Sequence, residues 1–160
     1  WYPLSFSFAE DPLQRVYRQY DRQAYWNLLI QVRNEVNKAI EKLRIVGELG
    51  SSLEAEVELY VKAGSQLFNI LAALGEELRF VLITSEAKLL TINPPKQATH
   101  LKINAEELAL NIISTVGKKT KCARCWHRLA DVGQDVKHPD ICLRCVDNLP
   151  DGKGETRVYA

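Results

Sequence analysis

The sequence predicts an α+β fold made of a long N-terminal helix, a small mixed α/β subdomain and a C-terminal four-cysteine module. Three observations carry that prediction. Apolar residues recur at helical spacing through residues 25–43, an alternating strand pattern begins at Glu54, and all four cysteines fall between 122 and 145.

In the first element, apolar residues at 25/26, 29, 32, 36, 40 and 43 form one stripe of a helix. Arg33, Asn34, Asn37, Lys38, Glu41 and Lys42 fall largely on the other side, as a solvated face. Asp21 suits an N-cap and Gly47 ends the pattern. Glu54 to Val61 alternates as a half-buried strand with three acids, Glu54, Glu56 and Glu58, on its outer face. Ser65 to Leu78 reads as a helix from Leu67, Ile70/Leu71 and Leu74, followed by an apolar strand from Arg79 to Thr84. Thr91 to Thr99, with Pro94 and Pro95, reads as a loop. Leu101–Ile103 and Leu108–Val116 are two further short segments, the second of which equally suits a helix begun by Glu106 and Glu107. Pro150, Asp151, Gly152 and Gly154 supply turn chemistry before a short edge strand at Glu155–Tyr159. The domain reading is therefore 1–47, the end of a helical region with its linking helix; 48–116, the α+β subdomain; and 117–160, the cysteine module.

Composition narrows the class. With 160 residues, 46% hydrophobic and 26% charged, the chain is long enough for a core of normal size and is neither disordered nor of low complexity. No apolar run approaches the roughly 20 residues of a membrane helix, and no basic start with an apolar stretch and cleavage site marks a signal peptide. The expectation is a cytoplasmic protein with no membrane partner. A chain without methionine that opens on Trp1 reads as a piece of a longer protein.

Cys122-Ala-Arg-Cys125 and Cys142-Leu-Arg-Cys145, sixteen residues apart, are the most specific signal. Each short knuckle turns two sulfurs to one side, so four thiolates can surround one Zn(II) as a tetrahedron. Disulfides at this spacing would be strained, and redox pairs of this form need a strand-to-helix setting. Four sulfurs fill the shell, which makes the expected zinc structural, one per chain, with no open position for water or substrate. His127 and His138 read as surface or packing side chains in the presence of four better ligands.

The formal net charge of +1 hides a gradient. Residues 51–115 hold five cations and eight acids, whereas residues 116–160 hold nine cations and six acids. Lys118, Lys119, Lys121, Arg124 and Arg128 lie within eleven residues that contain no acid, which points either to a polyanion partner or to a solvated strip. Lys121, Arg124 and Arg144 also flank the thiolates, whose complex with Zn(II) carries −2. There is no glycine-rich phosphate loop and no nucleophile motif, so the chain by itself is expected to be catalytically inactive.

Lys121-Cys-Ala-Arg-Cys-Trp-His127, Asp131-Val-Gly133 and His138-Pro-Asp-Ile-Cys-Leu-Arg-Cys-Val146 together resemble the C-terminal zinc domain of bacterial-type isoleucyl-tRNA synthetases. Val32–Glu41, Ser51–Val57 and Glu77–Ser85 are similar to the same family, while Arg128-Leu-Ala130 departs from it. The resemblance implies a segment that follows the helical anticodon-binding domain and lies on the anticodon end of isoleucine tRNA. It implies an ATP-dependent class I ligase as the parent, whose His-Ile-Gly-His and Lys-Met-Ser-Lys-Ser type motifs lie outside this chain. By the family pattern Cys122, Cys125, Cys142 and Cys145 hold zinc and Arg124 and Trp126 contact nucleotides, with Lys118, Lys119 and Lys121 adding non-specific attraction. Partners would be isoleucine tRNA and the remaining domains of the same chain, not DNA. Two other readings stand beside this: a zinc-stabilised protein-interaction module, and a thiol redox or metal-transfer protein. A third question concerns Trp126, which suits either a stacking face or a lid packed over the metal.

Overall fold

The computed structural model describes residues 21–154; the expected strand at Glu155–Tyr159 and the segment before Asp21 lie outside them. The first helix, α1, spans Arg22–Ile45. Asp21 caps it through a hydrogen bond from the Ala24 amide at 3.1 Å, which satisfies one of the donors left open at a helix start. Lys42 and Arg44 stand in its last turn, where the helix dipole favours cations. Beyond it Gly47, at φ +80°, returns an N–H to the Arg44 carbonyl at 3.0 Å. The buried stripe is Tyr25, Leu28, Leu29, Val32, Val36 and Ile40.

The sheet that receives this stripe has four strands: β1 (Ala55–Val61), β2 (Glu86–Leu90), β3 (Thr99–Ile103) and β4 (Glu106–Ser114), in the order β2-β1-β4-β3. β1 runs parallel to β2 and antiparallel to β4, which in turn pairs antiparallel with β3. Ala55, Val57, Leu59 and Val61 point into one core with the α1 stripe. The parallel β1–β2 connection passes through α2 (Gln66–Ala73) and α3 (Leu78–Leu82), which with Leu74 just past α2 add Leu67, Ile70, Leu71, Leu78 and Leu82 to that core. A parallel pair needs such a crossover.

One expected strand needs correction, and three further points are refined. Arg79–Thr84 is not a strand: residues 78–82 are one turn of α3, because Leu78 and Leu82, four apart, both reach the core. The edge strand sits later, at Glu86–Leu90, in a stretch that the sequence reading left unassigned. Of the two readings open for the segment after Glu106, the strand is the one formed, over 106–114, because residues 104 and 105 form a two-residue hairpin turn with φ +48° and +68° that pairs Ile103 with Glu106. The acids of β1 are also less free than an outer face suggests. Glu56 is buried, and Glu58 accepts hydrogen bonds from the Tyr60 hydroxyl at 2.6 Å and the Asn111 amide at 2.8 Å.

The cysteine module follows β4. Its short hairpin, β5 (Thr120–Lys121) with β6 (Arg128–Leu129), and its one-turn helix α4 (Leu143–Asp147) enclose a separate small core of cysteines with Leu129, Val132 and Ile141. At the close of the module Gly152 passes so near α4 that a Cβ there would meet the Asp147 carbonyl oxygen at 2.1 Å. Among the described residues no helix is long and apolar enough to cross a membrane.

Candidate metal centre

The β5–β6 hairpin turns through the first knuckle. The Cys122 amide donates to the His127 carbonyl at 2.9 Å and the Trp126 amide to the Cys122 carbonyl at 3.0 Å, which closes a tight loop around Cys125. Closing it requires Trp126 to adopt φ +66°, the left-handed region that disfavours a bulky side chain. The second knuckle is built on a helix start: Cys142 is the N-cap of α4 and Cys145 lies in its first turn. An amide bond from Ala123 to the Asp140 carbonyl at 2.9 Å ties the two knuckles together, and Asp131 accepts from the Leu143 amide at 3.0 Å.

All four Sγ atoms lie within 4.8 Å of one another, with Cys122–Cys145 and Cys125–Cys142 each at 3.7 Å. A tetrahedron of sulfurs about 2.3 Å from zinc has edges of about 3.8 Å, so the donor set fits that ion in number, chemistry and span. The Cys125 and Cys142 amides point at the Cys122 sulfur at 3.5 and 3.4 Å, the arrangement that supports a thiolate. Burial works against ionising Cys122, yet these amides and that of Arg124 outweigh it and bring the thiol down to about 6. Burial, joined by the Cys125 thiol and against the opposing hydrogen bonds from Cys145, pushes Cys142 up to about 11, and Cys145 is raised further by burial and its three thiol neighbours. A divalent cation removes the cost of gathering these charges. Zinc held by four thiolates would supply folding energy and, with its shell full, no catalytic position. His127 is not in the cluster: its ring is buried, Nδ1 lies 3.1 Å from the Cys125 carbonyl, and it meets Phe80 edge-on at 6.3 Å.

The five other residues singled out from the sequence separate into different environments. Trp126 is 61% exposed, and the Lys121 ammonium stands 5.7 Å from its ring centre. Arg124 is exposed, but its Nη1 donates to the carbonyls of Cys145 at 2.8 Å and Asn148 at 3.1 Å, at the C-terminal end of α4. Lys118 and Lys121 are exposed. Lys119 turns the other way and pairs with Glu56 and with Glu86, the latter at 3.0 Å. Arg128, which the sequence places in the basic cluster as a candidate for a polyanion partner or a solvated strip, is neither: it joins β6 to Glu54 at 3.0 Å.

Comparison with known proteins agrees with the geometry. Residues 120–148 match the family described as a zinc finger found in FPG and IleRS. The chain is 46% identical over 137 residues to an isoleucine–tRNA ligase of Shewanella sp. (strain MR-4) and 48% identical over 140 residues to one of Coxiella burnetii (strain RSA 331 / Henzerling II). These alignments cover 86% and 88% of this chain, which spans 14% of the length of those curated relatives. Over most of its length the chain is thus similar to isoleucine–tRNA ligases, and its cysteine module to the zinc finger described for FPG and IleRS.

Proposed function

We propose that this chain is the tRNA-binding C-terminal part of an ATP-dependent class I isoleucine–tRNA ligase of the cytoplasm, with a catalytic core elsewhere in the parent protein. The zinc module contacts the anticodon end of isoleucine tRNA and supports aminoacylation without taking part in the chemistry. The observation that supports this most is Trp126, a large indole held out in solvent by a tight turn beside a metal ligand, with an ammonium against its ring. Unpaired bases stack on such rings, and nearby cations meet the phosphates.

The geometry supports the following roles. Cys122, Cys125, Cys142 and Cys145 hold the zinc. Trp126 offers the stacking face, and Arg124, with one nitrogen fixed to the second knuckle, offers its remaining donors to a base edge or phosphate. Lys118 and Lys121 supply the counterion-release part of the affinity. Lys119 attracts RNA less, because two carboxylates already hold it.

The test is a titration of isoleucine tRNA and a non-cognate tRNA against the zinc-loaded chain at two salt concentrations. Trp126→Ala should weaken cognate binding with the salt slope almost unchanged, whereas Lys118→Ala or Lys121→Ala should weaken both tRNAs and reduce the slope by about one. Binding that ignores salt and all three substitutions would instead favour a protein-docking module.

A further inference from the structure

The zinc module has its own core, yet it meets the sheet through side chains of unusual charge economy. At the edge of the sheet where β1 and β2 begin, Glu56 lies directly beside Glu86 in the parallel register, with Glu54 just ahead of β1. Like charges so placed repel. Lys88 of β2 pairs with Glu86 at 3.2 Å, and the other cations that neutralise them come from the module and the turn that leads into it. Lys119 bridges Glu56 and Glu86, and Arg128 donates from Nε and Nη2 to Glu54 at 3.3 and 3.0 Å. Arg128 Nη1 reaches the Lys119 carbonyl at 3.2 Å, so the two cations are tied to each other as well.

Backbone and hydroxyl bonds fix the same seam. The Arg128 amide donates to Ser85 Oγ at 2.9 Å, and that wholly buried hydroxyl donates onward to the Leu53 carbonyl. Thr115, also buried, donates its amide and hydroxyl to the Glu54 carbonyl at 2.9 and 2.7 Å. Phe80 of α3 completes the contact, with the Arg144 guanidinium 5.1 Å from its ring centre and His127 against its edge. The Arg128 and Glu54 side chains keep only 19% and 12% of their surface exposed, so neither is available as a broad phosphate contact.

The geometry points to Arg128 and Glu54 as positioning residues: their ion pair latches the zinc module to the sheet at one orientation and so sets the direction in which Trp126 and Lys121 face RNA. This rests on the RNA-binding reading above, which it deepens. A module that samples many orientations binds with its intrinsic affinity reduced by the fraction correctly aimed. If unlatching leaves about one molecule in ten so aimed, tRNA affinity falls about tenfold.

The test uses the zinc-loaded chain with bio-orthogonal probes at positions 45 and 136, both highly exposed and on opposite sides of the seam. Glu54→Ala, Arg128→Ala and the exchanged pair Glu54→Arg/Arg128→Glu are compared for zinc content, for the distance distribution between probes, and for isoleucine tRNA affinity. The latch predicts full zinc content throughout, a broadened distribution and about tenfold weaker binding in both single variants, and recovery of both in the exchanged pair. The Glu54→Ala arm is the sharpest, because removing an acid should strengthen RNA binding on charge alone. Stronger or unchanged binding there, with loss only in Arg128→Ala, would make Arg128 an RNA contact and overturn the latch. An unchanged distance distribution would overturn it whatever the RNA does, and so would a broadened one with unaltered affinity while Trp126→Ala still weakens binding. If Trp126→Ala also has no effect, the RNA-binding reading fails, and the distance arm still decides whether the seam is latched.

Discussion

Trp126 stands in a backbone conformation that its own side chain opposes. A left-handed φ costs a non-glycine residue about 1–2 kcal/mol, and the exposed indole gains little packing in return. Trp126→Gly should therefore keep the zinc and leave the module as stable or slightly more stable, measured by competition with a chelator. The same substitution should cost about 1–3 kcal/mol in isoleucine tRNA binding, the worth of one stacked base. A drop in zinc affinity would return the indole to a structural role. A second residue-scale case is Glu58, whose carboxyl is held below its usual value of 4.5 by the Tyr60 hydroxyl and then by Asn111, against the opposing effect of burial. The same bond pushes Tyr60 up to about 12. A depressed carboxyl stabilises the fold above its unfolded value and loses that contribution as pH falls through the folded one. Glu58→Gln should thus cost about 1 kcal/mol at neutral pH, with a deficit that shrinks on acidification below 4.5 as the parent chain is protonated too. Urea melts at several pH values would show it, and a deficit independent of pH would assign the loss to packing.

At the scale of the element, the turn between β3 and β4 is the least favourable local choice in the sheet. Both central residues, Asn104 and Ala105, are left-handed, and asparagine tolerates this where alanine does not. Ala105→Gly should stabilise the chain by about 0.5–1 kcal/mol in denaturant midpoint, after the extra freedom of glycine in the unfolded state is offset. A loss of stability would show that the alanine methyl is packed. This turn also explains why the strand at 106–114 was ambiguous in the sequence: two glutamates suit a helix start, and no Asn-Gly announced the hairpin. Helix α1 was legible because its period runs for six turns between a capping Asp21 and Gly47. The run Arg79–Leu82 was not, because a short apolar stretch fits a strand or one helical turn equally well, and only the partners of Leu78 and Leu82 decide. Edge strand β2 carries Glu86 and Lys88 and no β-branched residue, so nothing local marked it. The four metal-facing cysteines were legible because knuckle spacing is local, whereas Arg128 finds Glu54 across 74 residues of sequence, a pairing that no local pattern encodes.

Among the described residues, the helix–sheet core and the cysteine core are held by different forces. Apolar burial builds the helix–sheet body, while the module encloses little besides its cysteines, so metal should be its main source of stability; structural zinc contributes about 10–16 kcal/mol in finger peptides. A strong chelator should therefore abolish amide protection across residues 120–148 while β1 and β4 stay protected in hydrogen exchange. The body should nevertheless feel the loss. Once the module unfolds, Arg128 and Lys119 are no longer held against Glu54, Glu56 and Glu86, and the Glu56–Glu86 pair is left side by side with less compensation. A body destabilised by about 1 kcal/mol would melt a few degrees lower in chelator. Glu86→Gln removes the like-charge neighbour, so in that variant the chelator-induced drop should shrink, although the substitution also gives up the ion pairs with Lys88 and Lys119 in the zinc-loaded chain. Thermal melts of the parent chain and Glu86→Gln, each with and without chelator and followed by a signal from the sheet, test this directly. Loss of protection in β1 together with the module would mean one cooperative unit instead of two. An equal drop in both chains would mean that the module supports the body by contact alone, with no part played by charge.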